Sequence, residues 1–359
     1  MSDSAANIKI LIATLQTDFV QNFDYYEKLH GLKPKIKLQD SNPIAELKKL
    51  SQILKAHSTK IGIVSHPDKF HNNLDAAFKE LQLFANAVFF LISLLPLFYQ
   101  GQFTQYFTSL LDANILGLLN GISGLCDDLS QLLATPFDKL ASDASGDSTE
   151  DSNSTPARLI SIGKIWAACD SMLELATMGN LGLLNQKIQV SAKLVGDTLS
   201  EVEEWLLEPR VESDDPFGLD SDSDNDESGS TSETEPQEAP KEMIQFVQDW
   251  QSKLKMIRLL LQSFSKSIAS NDYKNKEPTA SQLDKLNELH KRIVAEIDEL
   301  VSSTFMAGQD FDAEDEEIQD LKLQLNTAVR EMAIIIKALN KDDEKKGKWI
   351  QVWYNKYFS

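Results

Sequence analysis

Apolar residues recur along most of this chain at alternating spacings of three and four, the mark of helices that bury one stripe. A first helix is expected over Asn7–Leu29, with Ile8, Leu11, Leu15 and Phe19 on one side. The stretch GLKPKIKLQDSNP breaks it at Pro34 and Pro43, and Asn42 is placed to cap a second helix ahead of Pro43. That helix has the seam Leu47, Leu50, Leu54, His57, Ile61, Val64 and ends at His66-Pro67. The third keeps the spacing from Leu74 through Leu81 and Val88 to Leu95, and Pro96 and Gly101 close it. The fourth runs from Phe107 through Ile115 and Ile122 to Leu132 and ends at Pro136. A fifth starts near Pro156 with Ile160, Ile165 and Trp166, and a sixth spans Asn180 to Leu207. Three further clean seams follow: Met243 to Ile268, Leu283 to Leu300, and Ile318 to Leu339. A short aromatic helix, Trp349 to Phe358, ends the chain.

No stretch alternates with period two over a useful length, so no sheet is expected. Long helices with short links imply an all-α fold of two antiparallel helical bundles. Gly117, Gly121 and Gly124 lie along the fourth helix. Glycine weakens a helix, so their presence points to a close helix contact. Between the halves lies Ser213–Glu238, which carries ten Asp or Glu, eight Ser or Thr and no Lys or Arg. Such a composition cannot bury enough surface to offset its ordering entropy, so the stretch reads as an acidic disordered linker. The expected organisation is an N-terminal helix and linker over 1–40 and an N-terminal bundle over 41–209, which contains a disordered Ser/Asp-rich loop at 138–156. The acidic linker then spans 210–239 and a C-terminal bundle 240–359.

Charge narrows the function. The net charge is −20, and half of it sits in Ser213–Glu238. A chain this acidic lacks the basic face that phosphate contacts require, which argues against direct nucleic-acid binding. No basic region precedes any leucine seam, so a dimerising helix would still lack the part that contacts DNA. Cys126 and Cys169 lie inside apolar helical patterns, which suits a reducing compartment. The N-terminus lacks the basic start and cleavage site of a signal peptide. Leu81–Tyr99 is long enough to span a bilayer, but Gln82, Asn86, Ser93 and Pro96 interrupt it, so a buried bundle helix is expected.

The candidate chemistry is thin. His66-Pro67-Asp68 resembles the loop of J-domain cochaperones of Hsp70; the plain alternative is a proline turn in which Asp68 favours the next helix N-terminus. Asp222, Asp224, Asp226 and Glu233 match a calcium-loop spacing, but Glu227 stands where the loop needs glycine. Ser221 and Ser223 each have an acid three residues on, which makes them candidate phosphorylation sites for an acidophilic kinase. His57 and His290 sit on apolar seams and are expected to be satisfied core residues. Lys345, Lys346 and Lys348 form a short basic run of the kind found in nuclear import signals. No phosphate-binding glycine loop, nucleophile constellation or metal-ligand spacing stands out. No catalytic, cofactor or metal residue is assigned, and no small-molecule ligand is expected.

Two stretches carry a resemblance. One is Leu159–Leu173, with the core Gly-Lys-Ile-Trp-Ala-Ala-Cys, followed by a helix ending in Glu201-Val202-Glu203-Glu204 and then DPFGL. The other is Leu91–Gly101, LISLLPLFYQG. Together they resemble the cyclin-D-binding protein family, over about Leu47–Leu219 and more loosely beyond. The resemblance implies a non-enzymatic helical protein of nucleus and cytoplasm that regulates cell-cycle progression or transcription. Its implied partners are cyclin D or helix-loop-helix factors. The alternative from the bundles alone is a vinculin-like cytoskeletal adaptor, or a membrane-associated one through Trp349, Trp353, Tyr354, Tyr357 and Phe358.

Overall fold

The computed structural model describes residues 3–34, 37–135, 157–211, 237–270, 273 and 278–359. The chain is all-α and divides into two compact helical units, Met1–Leu183 and Leu184–Ser359. The acidic residues 212–236 and the loop 136–156 lie outside the described residues, and so do Ser221, Ser223 and the calcium-like spacing.

In the first unit, α1 (Asp3–Thr14) runs into a π-helical segment, Leu15–Val20. The short α2 (Tyr26–His30) follows after a break at the extended Tyr25. The single helix expected over Asn7–Leu29 is thus two pieces. α3 (Pro43–Val64) starts as its sequence dictates: the Asn42 side chain accepts from the Ala45 N–H at 2.9 Å, and Pro43 opens the first turn. Pro67 opens a one-turn helix, α4 (Pro67–Phe70), before α5 (Leu74–Leu94). α6 (Gln105–Ala134) is capped by Thr104, whose hydroxyl oxygen accepts from the Phe107 N–H. α7 (Ala157–Trp205) is a long helix broken at Gly179, where φ is 61° and ψ −170°. Only glycine adopts that conformation readily.

The first bundle is built from α3, α5, α6 and residues 157–178 of α7. α3 packs on α5, and His57 Nδ1 lies 2.7 Å from Glu80 Oε2 across the pair. The α7 arm reaches α3 through Lys55–Asp170 at 2.7 Å and through the Arg158 guanidinium, which donates to the Gly62 carbonyl. It approaches α6 most closely at glycines. A Cβ on Gly121 would lie 3.0 Å from the Ile165 backbone nitrogen, and one on Gly124 would lie 2.6 Å from Ser161 Oγ. Gly117 meets nothing. The close contact expected of the three glycines is therefore made by two. α1 lies on α5, and the π segment lies on α6, so the first helix belongs to this unit.

α5 and α6 are long and apolar enough to cross a membrane, over Leu74–Leu97 and Gln105–Ala134. Half or more of each such stretch is buried inside the bundle, with Leu81, Phe84, Val88, Ile115, Leu118 and Ile122 at its centre.

In the second unit, residues 184–205 of α7 join α8 (Lys241–Ala269), α9 (Ala280–Met306) and α10 (Glu316–Leu339). Ser265 Oγ lies 2.6 Å from Asn185 Oδ1, Lys255 pairs with Glu203 at 2.9 Å, and Ser191 Oγ lies 2.8 Å from His290 Nδ1. These contacts hold the expected sixth helix against α8 and α9, whereas the sequence pattern alone places it in the N-terminal bundle, which is expected to run to residue 209. The reason is Gly179, which ends one arm and lets the next begin. α11 (Glu344–Phe358) closes the unit against α8 and α10, burying Ile350, Trp353 and Tyr357. The Trp353 indole N–H donates to the Met256 carbonyl at 2.8 Å.

The described residues also contain a minimal antiparallel ladder that period-two patterning could not show. β1 (Arg210–Val211) pairs with β2 (Gln237–Glu238), Arg210 opposite Glu238. The acidic stretch still separates α7 from α8, but both of its flanks belong to the second unit and are tied to each other.

Replacing Gly121 by Ala is expected to destabilise the protein by about 1–3 kcal/mol, because the new methyl meets the Ile165 backbone nitrogen as well as its side chain. Gly117→Ala should be neutral or stabilise by up to about 1 kcal/mol, since only helix propensity changes there. Gly179→Ala should cost about 1–3 kcal/mol through backbone conformation alone, because nothing lies within 4 Å of its Cβ position. Denaturant midpoints of the three variants check the ranking.

Candidate interaction surface

Several polar groups that the helices bury are paired with one another, whereas the Ser65 and Tyr357 hydroxyls are buried without a hydrogen-bond partner. Asp112 sits inside α6 with its side chain 3% exposed. The Tyr99 hydroxyl donates to its Oδ1 at 2.5 Å, and His30 Nε2 lies 2.7 Å from its Oδ2. Burial and the adjacent carboxylate push the Tyr99 hydroxyl well above its ordinary range, so it stays a donor. Burial raises the Glu80 carboxyl, but the His57 hydrogen bond and the Lys60 charge outweigh it, and the net shift is downward. Burial lifts the thiols of Cys126 and Cys169 to about 12, and both are free. Neither is poised as a nucleophile at neutral pH.

His290, the other buried group on an apolar seam, is 2% exposed. Its Nε2 lies 3.3 Å from Asn287 Oδ1, which fixes that nitrogen as the N–H donor and leaves Nδ1 to accept from Ser191. Desolvation, aided by Lys291 and Lys187, lowers its pKa to about 4. Both partners of this serine–histidine contact are buried, Ser191 at 5% and His290 at 2% exposure. His57, the other seam histidine, is paired with Glu80 as the seam reading expected of a satisfied residue.

The His-Pro-Asp turn caps the α3–α5 pair. His66 and Asp68 are half exposed, 3.5 Å apart, and Phe70 is fully buried beneath them. Pro67 and Asp68 lie in the first turn of α4, the position a proline turn with a favourable N-terminal acid calls for. Among the described residues no group of three or more His, Cys, Asp or Glu could hold a metal ion.

What remains available is helix surface. Phe89 and Phe90 on α5 are each 55% exposed, and Leu159, Ile160 and Trp166 stand out from α7. On α11, Trp349 and Val352 face outward with Lys345 and Lys348. In the groove between α8, α10 and α11 a cleft of about 250 Å³ is lined by Leu260, Phe264, Ile336 and Trp349, with Lys266 and Lys346 at its edge. The seams identified what would be buried; the outward apolar residues off the seam, Phe89 and Phe90 above all, were the signal for surface that the seam reading passed over. Asp112, His30 and Tyr99 carried no such signal, since they lie far apart in sequence.

Among the described residues these features define a helical bundle protein with apolar side chains exposed on helix faces. Its family is shown by comparison. The chain belongs to the Grap2 and cyclin-D-interacting family: residues 46–208 match the family's N-terminal region and residues 219–330 its C-terminal region. It is also similar to an uncharacterized protein of Saccharomyces cerevisiae, at 34% identity over 99% of this chain and 98% of that one. An uncharacterized protein of Schizosaccharomyces pombe is 22% identical over 76% of this chain and 74% of its own length.

The His290 environment makes a signed prediction. Its folded-state pKa is lowered from 6.5, so its contribution is complete above pH 6.5 and is lost as pH falls toward 4. Between pH 7.5 and 5.0 the wild type should lose about 2 kcal/mol that His290→Gln does not lose. Urea denaturation of both proteins at the two pH values measures the difference.

Proposed function

We propose that this chain is a non-enzymatic interaction protein that regulates cell-cycle progression or transcription by binding other proteins through its helical faces. The observation that carries the reading is membership of the Grap2 and cyclin-D-interacting family, with matches that run through both helical units. The polar chemistry supports it. Each histidine on an apolar seam is paired structurally, both thiols are buried and held protonated, and the apolar groups left accessible lie on helices. A D-type cyclin or a helix-loop-helix factor is the partner proposed first, and nucleus and cytoplasm are where it would be met. The acidic composition favours a partner with a basic face, and phosphorylation at Ser221 or Ser223 would add about −1.5 to −2 charge at each site.

Purified full-length protein, immobilised, should bind a D-type cyclin or a helix-loop-helix dimer with a Kd in the micromolar range or tighter, and binding should weaken between about 50 and 500 mM salt. Biolayer interferometry with both partners tests this; no binding of either at tens of micromolar would remove the named partners.

A further inference from the structure

In the first bundle α3 meets α5, and the α7 arm meets both α3 and α6. The N-terminal arm, Asp3 to His30, is the element that contacts both α5 and α6. It lies on α5 and α6 and buries Ile8, Ile12, Leu15 and Phe19, an i, i+4, i+7, i+11 seam. α5 is built for such cover. From Leu94 through Phe84 and Leu81 to Ala85 its buried positions span roughly 180° at 100° per residue, against a usual apolar stripe of about 100°. Part of that arc is open unless a helix lies on it.

The arm's fastenings have a common character. Ser4 bonds Asp75, the Gln16 amide donates to Asp127 Oδ1 at 3.0 Å, and His30 meets Asp112. Asp75 and Asp127 are exposed and Asp112 is buried, and the arm answers the two exposed carboxylates with neutral groups. The arm is also an imperfect helix. It widens to π geometry over Leu15–Val20, with the Gln21 N–H bonded to the Gln16 carbonyl five residues back. Thr14 and Thr17 bond back to the carbonyls of Ile10 and Ala13. Long π segments are rare, and such back-bonding slightly weakens a helix. The twelve residues from Gly31 to Asn42 span up to about 40 Å when extended, enough for the arm to leave. The matched family region begins at residue 46, beyond the arm.

We infer that the α5/α6 groove is a docking site for a basic amphipathic helix of a partner protein, and that the arm is its resident, displaceable occupant. This deepens the interaction reading and rests on it for the existence of a partner. The partner helix repeats the apolar spacing of Ile8, Ile12, Leu15 and Phe19. It places Lys or Arg where the arm has Ser4 and Gln16, so that ion pairs to Asp75 and Asp127 replace neutral hydrogen bonds. A regular α-helix of that pattern also avoids the π segment.

The test uses the full chain with a protease site inserted between Gly31 and Asn42. After cleavage, labelled synthetic peptides of the sequence from Asp3 to Phe23 are added, either unchanged, or with Ser4→Lys and Gln16→Lys, or with Leu15→Asp. The doubly basic peptide should displace the native arm and bind at least tenfold tighter than the unchanged sequence at 50 mM salt. That advantage should shrink at 500 mM salt, and the Leu15→Asp peptide should not enter. The proposal is overturned if cleavage unfolds the first unit, if the arm never exchanges, or if basic and unchanged peptides compete equally. A dimer of the uncleaved chain that exchanges arms makes a second copy the occupant and overturns the assignment to a partner. Cyclin and helix-loop-helix binding is measured beside it. Partner binding that the basic peptide does not reduce leaves the interaction reading standing without this groove. Peptide exchange in the absence of partner binding leaves the groove and removes the named partners.

Discussion

The constraint on which this architecture rests is a single peptide conformation. At Gly179 a helix that would otherwise continue turns through φ 61° and ψ −170°, and each side serves a different bundle. The break is held by its neighbour. Asn180 Oδ1 accepts from the Thr104 N–H and hydroxyl, its Nδ2 donates to the Gln102 carbonyl, and the Tyr106 hydroxyl donates to its carbonyl at 2.8 Å. Breaking a helix frees polar backbone groups that need new partners, and the segment from Gln102 to Tyr106 supplies one of them. The same Thr104 caps α6. The end of one helix and the start of another are thus fixed by one cluster of side chains.

Within each bundle, helix separation is set by small residues and helix register by buried polar pairs. Gly62, Gly121 and Gly124 admit Ile162, Ile165 and Ser161 at distances that a Cβ would forbid. In the second unit Gly196 plays that part for the Arg258 guanidinium, whose atoms would lie 3.0 Å from a Cβ there. Ser191–His290 and Asn185–Ser265 then fix how far α7 can slide along its neighbours. An apolar seam alone tolerates a shift of one turn, whereas a buried hydrogen bond does not, since an orphaned polar group costs about 1–3 kcal/mol.

Much of this was legible in the sequence because the seams are long and their caps explicit. Asn42-Pro43 marked the start of α3, and Leu47, Leu54 and Ile61 are buried where the three-four spacing put them. The all-α class and the family followed from the same stretches. Bundle membership was less legible. The residues from Asn180 to Leu207 have a seam that fits either bundle, and only the conformation at Gly179 with the pairs to α8 and α9 assigns them. The first helix was read as continuous because π geometry preserves an apolar face while changing its period, so Leu15 and Phe19 still looked regular. The two-residue ladder at Arg210 and Glu238 was too short for any pattern to show. Surfaces were the least legible part, because a seam says what is buried and nothing about which outward face is used.

That short ladder has a consequence for how the chain tolerates change. Arg210 sits across from Glu238, the Ala239 N–H bonds the Pro209 carbonyl, and the Gln309 amide donates to the Glu238 carbonyl. The two flanks of residues 212–236 are therefore held side by side in the second unit. An insertion rooted this way is topologically silent, since its length does not alter the distance it must bridge. Doubling the length of such an excursion costs only about 0.6 kcal/mol of closure entropy. A change in the length or composition of the sequence between Val211 and Gln237 therefore leaves the geometry of these two flanks unaltered.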